Sequence, residues 1–162
     1  MSEILDKLAT FDSDIGITLS EVVDARRIGD ITVIVPTRNE RDNVEPLLRR
    51  LEESMHGIRT TVIFVDDSDD DTAQRIADES LFYTSEAFRP RLVERLGGER
   101  VGGLSGAVLA GIAAAETQWV CVMDGDLQHP PALLLTMLDR ASVSDTSIVI
   151  ASRYTAEGSD AW

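Results

Sequence analysis

Three side chains that carry oxygen donors, Asp124, Asp126 and Gln128, lie two residues apart directly after an apolar run. If the chain stays extended there, side chains two residues apart leave on the same side and their oxygens converge. Mg²⁺ and Mn²⁺ prefer a few carboxylates together with the phosphate oxygens of a substrate. A solvated turn is the alternative, because Asp and Gly are common after strands. We favour a divalent-cation site, since Pro130 and Pro131 end the extended stretch before a predicted helix.

A second acidic cluster, residues 66–71, contains five aspartates in six positions. A calcium-binding loop that began at Asp67 would need glycine where Thr72 stands and glutamate where Asp78 stands, so this interpretation is weak. As a turn between a strand and a helix, the cluster would direct Asp66 and Asp67 toward a ligand crevice. A carboxylate in that place can accept hydrogen bonds from a nucleotide base or ribose.

Residues 102–106, Gly-Gly-Leu-Ser-Gly, open a predicted helix and could bring a backbone close to a diphosphate. They lack the Gly-Lys-Ser/Thr of a phosphate-loop ATPase, and they do not follow the first strand as a dinucleotide fingerprint does. Close packing of a small-residue helix on a sheet explains most of this pattern. We interpret His129 as a packing or capping residue and the single cysteine, Cys121, as a small core residue.

Strands and helices alternate along the chain, and their order predicts where the candidate residues lie. The predicted strands are 31–35, 61–65, 92–96, 119–123 and 147–151, and the predicted helices are 42–51, 72–81, 105–115 and 131–138. This alternation is typical of a mostly parallel sheet that is covered on both faces. Ligands of such sheets bind outside the carboxyl ends of the strands, and both acidic clusters are expected at that edge.

The composition limits the partners and the compartment of the chain. Its 162 residues suffice for one domain, which we place at residues 31–162 after an extension over residues 1–30. With 29 acidic and 15 basic residues and a net charge of -14, the chain would be repelled by the phosphates of nucleic acids. No apolar run is long enough to span a bilayer, and the N-terminus lacks a secretory signal. We therefore expect a cytoplasmic protein without a nucleic-acid partner.

Five strings of the sequence resemble the family 2 glycosyltransferases, and within that family the dolichol- or polyprenol-phosphate mannose synthases and their glucosyl relatives. In chain order they are IVPTRNERDNV at 34–44, VDDSDDDT at 65–72, GGLSGAVLAG at 102–111, VMDGDLQHPP at 122–131 and ASRY at 151–154. The fourth string is specific, since it is typical of the polyprenol-phosphate branch. The resemblance implies a glycosyltransferase-A fold, that is, an α/β fold with a mostly parallel, Rossmann-like sheet flanked by helices.

The resemblance also implies roles for individual residues. Pro36, Arg38, Glu40, Val65 and Asp67 match positions that hold the nucleoside in the family. Asp66, from its place in the strand-to-helix turn, and Asp124 are also expected at the nucleotide. Asp124, Asp126 and Gln128 match the metal and diphosphate site of the family, and Arg153 matches the arginine that meets the acceptor phosphate. Asp126 and Arg153 are therefore the candidate catalytic residues. Arg38 departs from the family, which commonly has tyrosine there.

The implied reaction moves a hexose, mannose or glucose, from a nucleotide-sugar such as GDP-mannose to a polyprenyl or dolichyl phosphate, with inversion. Mg²⁺ or Mn²⁺ would stabilise the departing nucleoside diphosphate. The acceptor phosphate has a second pKa near ~6 and is already ionised at neutral pH, so no strong base is required. The implied partners are the donor, the lipid acceptor and, as an open alternative, a membrane protein that holds the enzyme at the cytoplasmic membrane face.

Family members usually continue well past the Ser-Arg-Tyr string, so the chain is C-terminally short and its own turnover stays open. A non-catalytic nucleotide-sugar-binding module, or a truncated inactive fragment, is therefore the main alternative. A sugar nucleotidyltransferase is less favoured, because it should carry a glycine-rich loop straight after the first strand, where this chain has Pro-Thr-Arg-Asn-Glu at 36–40.

Overall fold

The computed structural model describes residues 30–143 and 147–152. Its strands are β1 (Ile31–Thr37), β2 (Thr60–Asp66), β3 (Phe88–Glu94) and β4 (Trp119–Val122). Its α-helices are α1 (Val44–Ser54), α2 (Thr72–Tyr83), α3 (Gly103–Ala114) and α4 (Leu133–Val143), and two 3₁₀ turns, Arg41–Asn43 and Gly97–Arg100, precede α1 and α3. The predicted alternation of strands and helices is confirmed over residues 31–143, with boundaries that differ by a few residues.

The four strands form one parallel sheet in the order β3-β2-β1-β4. Ile31 lies between Thr60 of β2 and Trp119 of β4, so the strands begin at nearly the same level. Strands β1, β2 and β3 end at the same level, where Thr37, Asp66 and Glu94 are in register, and β4 ends earlier, opposite Ile34. The loops that leave β1, β2 and β4 lie at this one edge. The predicted parallel α/β fold is confirmed, and this carboxyl edge is where its functional residues lie.

The central strands β1 and β2 are buried on both faces of the sheet, which accounts for their largely apolar sequences. Val33 and Val35 of β1 belong to a large cluster that α1, α2 and α4 cover. Ile34 lies between these two residues in β1, so its side chain points to the other face of the sheet. There it faces α3 together with Ile63 and Val65 of β2. All of these side chains have no exposed surface. The period of two along β1 thus separates a three-helix face from a one-helix face.

Helix α3 packs on its face through small residues, as the sequence predicted. A Cβ atom built on Gly111 would lie 2.4 Å from Cγ2 of Ile34, so only glycine allows this approach. The opposite side of α3 stays apolar and exposed at Leu109 and Ile112, and Leu104 in its first turn is exposed as well. Val120 and Val122 of β4 lie on the same face of the sheet and are 40% and 46% exposed. The α3 face therefore leaves an apolar surface uncovered by the described residues. Among those residues, no helix is both long and apolar enough to cross a bilayer.

Two sequence predictions of strands need correction. Residues 147–152 form no strand, because an apolar run makes a strand only when a neighbour supplies hydrogen bonds. Ile148 and Ile150 are largely exposed. The third strand begins at Phe88 instead of Leu92 and includes Pro90. Proline is tolerated there because β3 is an edge strand of the described sheet.

Cys121 of β4 packs against the large cluster, as predicted. Burial raises the pKa of its thiol to about 11. Since the thiolate is the reactive form, iodoacetamide at about pH 8 should modify the folded chain at least tenfold more slowly than the urea-unfolded chain. The two rates can be followed by mass spectrometry. Equal rates would contradict the burial of Cys121.

Candidate functional site

The loops after β1 and β2 are joined by side-chain and backbone hydrogen bonds. The backbone N–H of Asp67 donates to the carbonyl of Thr37 at 3.0 Å. The backbone N–H of Asn39 donates to Ser68 Oγ at 2.8 Å, and the N–H of Asp69 donates to Asn39 Oδ1 at 3.1 Å. Asn39 has a φ of 58°, the left-handed region in which Asn is tolerated. These bonds fix the two loops as one unit.

Asp66 is the innermost member of the acidic run and is 1% exposed. Its carboxylate accepts hydrogen bonds from the Thr37 hydroxyl at 2.7 Å and from the Ser68 hydroxyl at 2.6 Å, and the Ser68 N–H lies at 3.2 Å. Asp66 therefore holds the two loops together, where the sequence predicted a side chain that faces the ligand crevice. The physical reason is that a buried carboxylate must be satisfied by hydrogen bonds, and the adjacent hydroxyl groups supply them.

Asp67 forms a buried ion pair with Arg95, which the sequence analysis did not identify. Nε of Arg95 donates to Asp67 Oδ1 at 2.8 Å, and Nη2 donates to Oδ2. The Asp67 and Arg95 side chains are only 11% and 7% exposed. Arg95 follows β3 directly, at the same edge as the acidic clusters, so the rule that places ligands after strand ends could have pointed to it.

The other aspartates of the 66–71 run also have partners. Arg100 pairs with Asp69 and donates to the Ser68 carbonyl, and its hydrogen bond and charge lower the pKa of the Asp69 carboxyl. The same hydrogen bond raises the pKa of the Arg100 guanidinium, so the pair stays charged at neutral pH. Asp70 accepts from the Thr72 N–H at 3.0 Å at the start of α2, and hydrogen bonds from Thr72 lower its pKa. The run thus organises a loop.

The remaining predicted contacts of the first loop differ in exposure. Arg38 is 70% exposed at its side chain and lies 3.6 Å from Asp69, Nη2 to Oδ2. Glu40 is half-buried and accepts a hydrogen bond from Asn43, and Pro36 is half-buried within β1. Val65 has no exposed surface, so its side chain cannot touch a ligand in this structure and only its backbone is close to the edge.

The loop after β4 turns instead of staying extended, which corrects the premise of the three-donor cluster. The Gln128 N–H donates to Asp126 Oδ1 at 3.0 Å, and Leu127 between them has a φ of 64°. Asp126 makes this turn because a short carboxylate can bond the backbone two residues on. Asp124 is 58% exposed and lies 4.0 Å from His129, Oδ2 to Nδ1. His129 is thus half-exposed beside a carboxylate, not packed in the core.

The β4 loop nevertheless lies against the end of β1. A Cβ atom built on Gly125 would be 3.3 Å from Thr37 Cγ2. Thr37 therefore has Asp66 on one side and the loop of Asp124 and Asp126 on the other, and the structure brings the two predicted acidic clusters to the same edge. Within the described residues, no group of three or more His, Cys, Asp or Glu side chains could hold a metal ion by itself. Arg153 lies outside the described residues.

The match to a family model and the matches to curated proteins agree with each other. The family model described as "Glycosyl transferase family 2" matches residues 32–162. A dolichol-phosphate mannosyltransferase of Pyrococcus furiosus is 34% identical over 128 residues, which are 79% of this chain and 34% of that protein. A dolichol-phosphate mannosyltransferase of Saccharomyces cerevisiae is also 34% identical, over 77% of this chain and 45% of that protein. The chain thus spans less than half the length of these curated relatives.

Solved structures support the fold. Glucosyl-3-phosphoglycerate synthase from Mycobacterium tuberculosis, in complex with uridine diphosphate, superposes with a TM-score of 0.62 at 21% identity, over 82% of this chain and 47% of that chain. Mannosyl-3-phosphoglycerate synthase from Rubrobacter xylanophilus gives a TM-score of 0.52 at 17% identity, over 67% of this chain and 34% of that chain. Both are similar to this chain in the parallel sheet and its helices.

Proposed function

Since this chain belongs to glycosyl transferase family 2, we propose that it acts in the transfer of a hexose from a nucleotide-sugar to a polyprenyl or dolichyl phosphate. The observation that carries the proposal is the similarity, over about four-fifths of the chain, to proteins named dolichol-phosphate mannosyltransferase. GDP-mannose is the donor that we favour. The joined carboxyl-edge loops, with their acidic side chains, support this proposal because they offer acceptors to a nucleoside and carboxylates beside its diphosphate.

The nucleoside is proposed to bind where the β1 and β2 loops meet. Asp67 offers carboxylate lone pairs that Arg95 leaves free, and Arg38 and Glu40 lie on the adjoining loop. Asp66 lies below the proposed pocket and supports it, because its carboxylate fixes both loops. Asp124 lies on the other side of Thr37 and would contact the nucleotide from there.

The residues after β4 fit a divalent ion of the Mg²⁺ or Mn²⁺ type. Asp124 is exposed, and Asp126 has one oxygen that the Gln128 N–H does not use. Two carboxylates without a third are the set that Mg²⁺ takes when substrate phosphates complete its shell. Asp124 and Asp126 would hold the ion, with Gln128 beside them. When bound, it would neutralise charge on the departing diphosphate.

The acceptor phosphate needs positive charge, because the chain carries a net charge of -14. We propose that Arg153 supplies it, since a guanidinium fork suits a phosphate monoester. The ionised phosphate oxygen then displaces the nucleoside diphosphate in a single inverting step without a strong base. This chemistry would take place at the cytoplasmic membrane face, with a membrane-protein partner as an open possibility for attachment.

Calorimetric titration with GDP, GDP-mannose, UDP and UDP-glucose, with and without Mn²⁺, tests the proposal. We expect guanosine or uridine ligands to bind and Mn²⁺ to tighten binding by about tenfold or more, because a divalent ion would neutralise charge on the diphosphate. Asp126→Ala should abolish this tightening, because one of the two carboxylates is lost. Asp78→Ala, on the exposed face of α2, is the matched control and should bind as the unmodified chain does.

Equal affinity with Mn²⁺ and with excess chelator would contradict the metal site. Binding of the donor without transfer to a polyprenyl phosphate would identify the alternative, a nucleotide-sugar-binding module. Release of diphosphate from a nucleoside triphosphate and a sugar phosphate would identify a nucleotidyltransferase.

A further inference from the structure

We propose that Arg95 is the positioning residue of the donor site: it fixes the Asp67 carboxylate in the orientation that binds the nucleoside. The inference rests on the proposed function, because it assigns a task to a residue next to the proposed nucleotide pocket. It extends that function to a side chain that directly follows β3, a strand that contributes none of the proposed ligand contacts.

The guanidinium of Arg95 has all of its donors in use. Besides its two bonds to Asp67, Nη1 donates to the carbonyls of Glu99 at 3.1 Å and Val101 at 3.4 Å, and Nη2 donates to the carbonyl of Gly103 at 3.0 Å. An arginine side chain has five N–H groups. Since each is committed within the protein, Arg95 has none left for a ligand and must act through the groups that it holds.

The three carbonyls fix the plane of the Arg95 guanidinium, and that plane fixes the orientation of the Asp67 carboxylate. Those of Glu99 and Val101 belong to the segment between β3 and α3, and that of Gly103 belongs to the first residue of α3. The backbone N–H of Arg95 itself donates to the Asp66 carbonyl at 2.9 Å. A two-point pair between a planar fork and a carboxylate has one favourable orientation. Asp67 is therefore held as a charged acceptor in a fixed direction, and its remaining lone pairs are those directed away from Arg95.

The start of α3 makes space for this arrangement. A Cβ atom built on Gly106 would lie 2.8 Å from Arg95 Nη1 and 2.1 Å from the Val101 carbonyl oxygen. The second of these distances is far below any normal contact, so glycine is required where the guanidinium and its carbonyl partner meet the helix. This steric requirement at Gly106 is independent of the hydrogen bonds. It indicates that the start of α3 leaves space for the Arg95 guanidinium.

The test is binding of GDP, UDP and inorganic diphosphate, each with Mn²⁺, to Arg95→Lys. Lysine keeps the charge but has no planar fork, so Asp67 loses its fixed orientation. We expect nucleoside diphosphates to bind about tenfold or more weakly and inorganic diphosphate to change less than about twofold, because only the nucleoside touches Asp67. Arg59→Lys is the matched control: it makes the same change in an exposed arginine–aspartate pair, with Asp30, at the opposite edge of the sheet.

A double-mutant cycle separates positioning from a general structural role. In an Asp67→Asn background, Arg95→Lys should add less than about a twofold loss in nucleoside diphosphate binding, since the group that it positions is already changed. Circular dichroism checks that each variant is folded. If the lysine variant does not fold, Arg95→Gln replaces it with the same expected loss, because its single amide group cannot form the two-point pair with Asp67.

Nucleoside diphosphate binding by folded Arg95→Lys that equals that of the unmodified chain would overturn the positioning role and leave the proposed function intact. An equal loss for inorganic diphosphate, or additive losses in the cycle, would overturn it as well. If the unmodified chain binds none of the nucleotides, the proposed function fails and this inference fails with it.

Discussion

Replacing Arg95 with methionine is expected to lower the free energy of unfolding by about 3–5 kcal/mol, which is the usual cost of removing one partner of a buried ion pair. The Asp67 carboxylate is 11% exposed and would be left without its cationic partner. Three backbone carbonyls, those of Glu99, Val101 and Gly103, would lose a donor at the same time. Methionine fills much of the volume, so the loss reports on charge and hydrogen bonds more than on a cavity.

Urea denaturation followed by circular dichroism measures the change in the absence of ligand. Arg59→Met is the control and should cost at most about 1 kcal/mol, because its pair with Asp30 is exposed to solvent. Arg95→Met combined with Asp67→Leu should recover part of the loss, since no uncompensated charge remains. If Arg95→Met is no more destabilising than Arg59→Met, the pair is not buried as described.

The second large effect is expected for Gly106→Ala. The new Cβ atom would overlap the Val101 carbonyl oxygen at 2.1 Å, and backbone cannot move aside as the end of a side chain can. Overpacking of this kind costs about 1–3 kcal/mol, and we expect the upper end of that range. The same change should displace Arg95 and therefore weaken nucleoside diphosphate binding together with stability.

Gly98→Ala supplies the comparison. Gly98 lies in the turn before α3, and a Cβ atom there would meet no atom within 4 Å. Alanine at such a position is neutral or stabilises by about 0.4–1 kcal/mol through the unfolded chain. Thermal unfolding compares the stability of both variants, and calorimetry measures how tightly each binds a nucleoside diphosphate. Equal melting temperatures for Gly106→Ala and Gly98→Ala would contradict the close contact at Gly106.

The sheet could be predicted because its evidence is local. An apolar run such as Ile31–Val35 identifies a buried strand by itself, and helix α1 follows from the spacing of Val44, Leu47 and Leu51. The edge at which the acidic clusters meet then follows from the parallel order of the strands. For residues 147–152, the pattern was equally apolar but the structure shows no strand, because strand formation also depends on a hydrogen-bonding neighbour.

The site was predicted less completely, because its decisive contacts are distant in sequence. Asp67 could be placed from the string that it belongs to, but its partner is 28 positions away in the chain. Asp66 looked equivalent to Asp67, and only the hydroxyl groups of Thr37 and Ser68 distinguish the two. The turn at Leu127 depends on one side-chain hydrogen bond, which no periodicity in the sequence reveals.

The uncovered apolar surface of α3 and β4 has a consequence for the behaviour of the chain in solution. Leu104, Leu109 and Ile112 face water in a molecule with a net charge of -14. In dilute buffer, like charge keeps copies of the chain apart, whereas about 1 M salt shortens the screening length to roughly 3 Å and leaves the apolar surface unopposed. Light scattering should therefore show colloidal attraction that grows with ionic strength, the reverse of what a contact made by salt bridges would show.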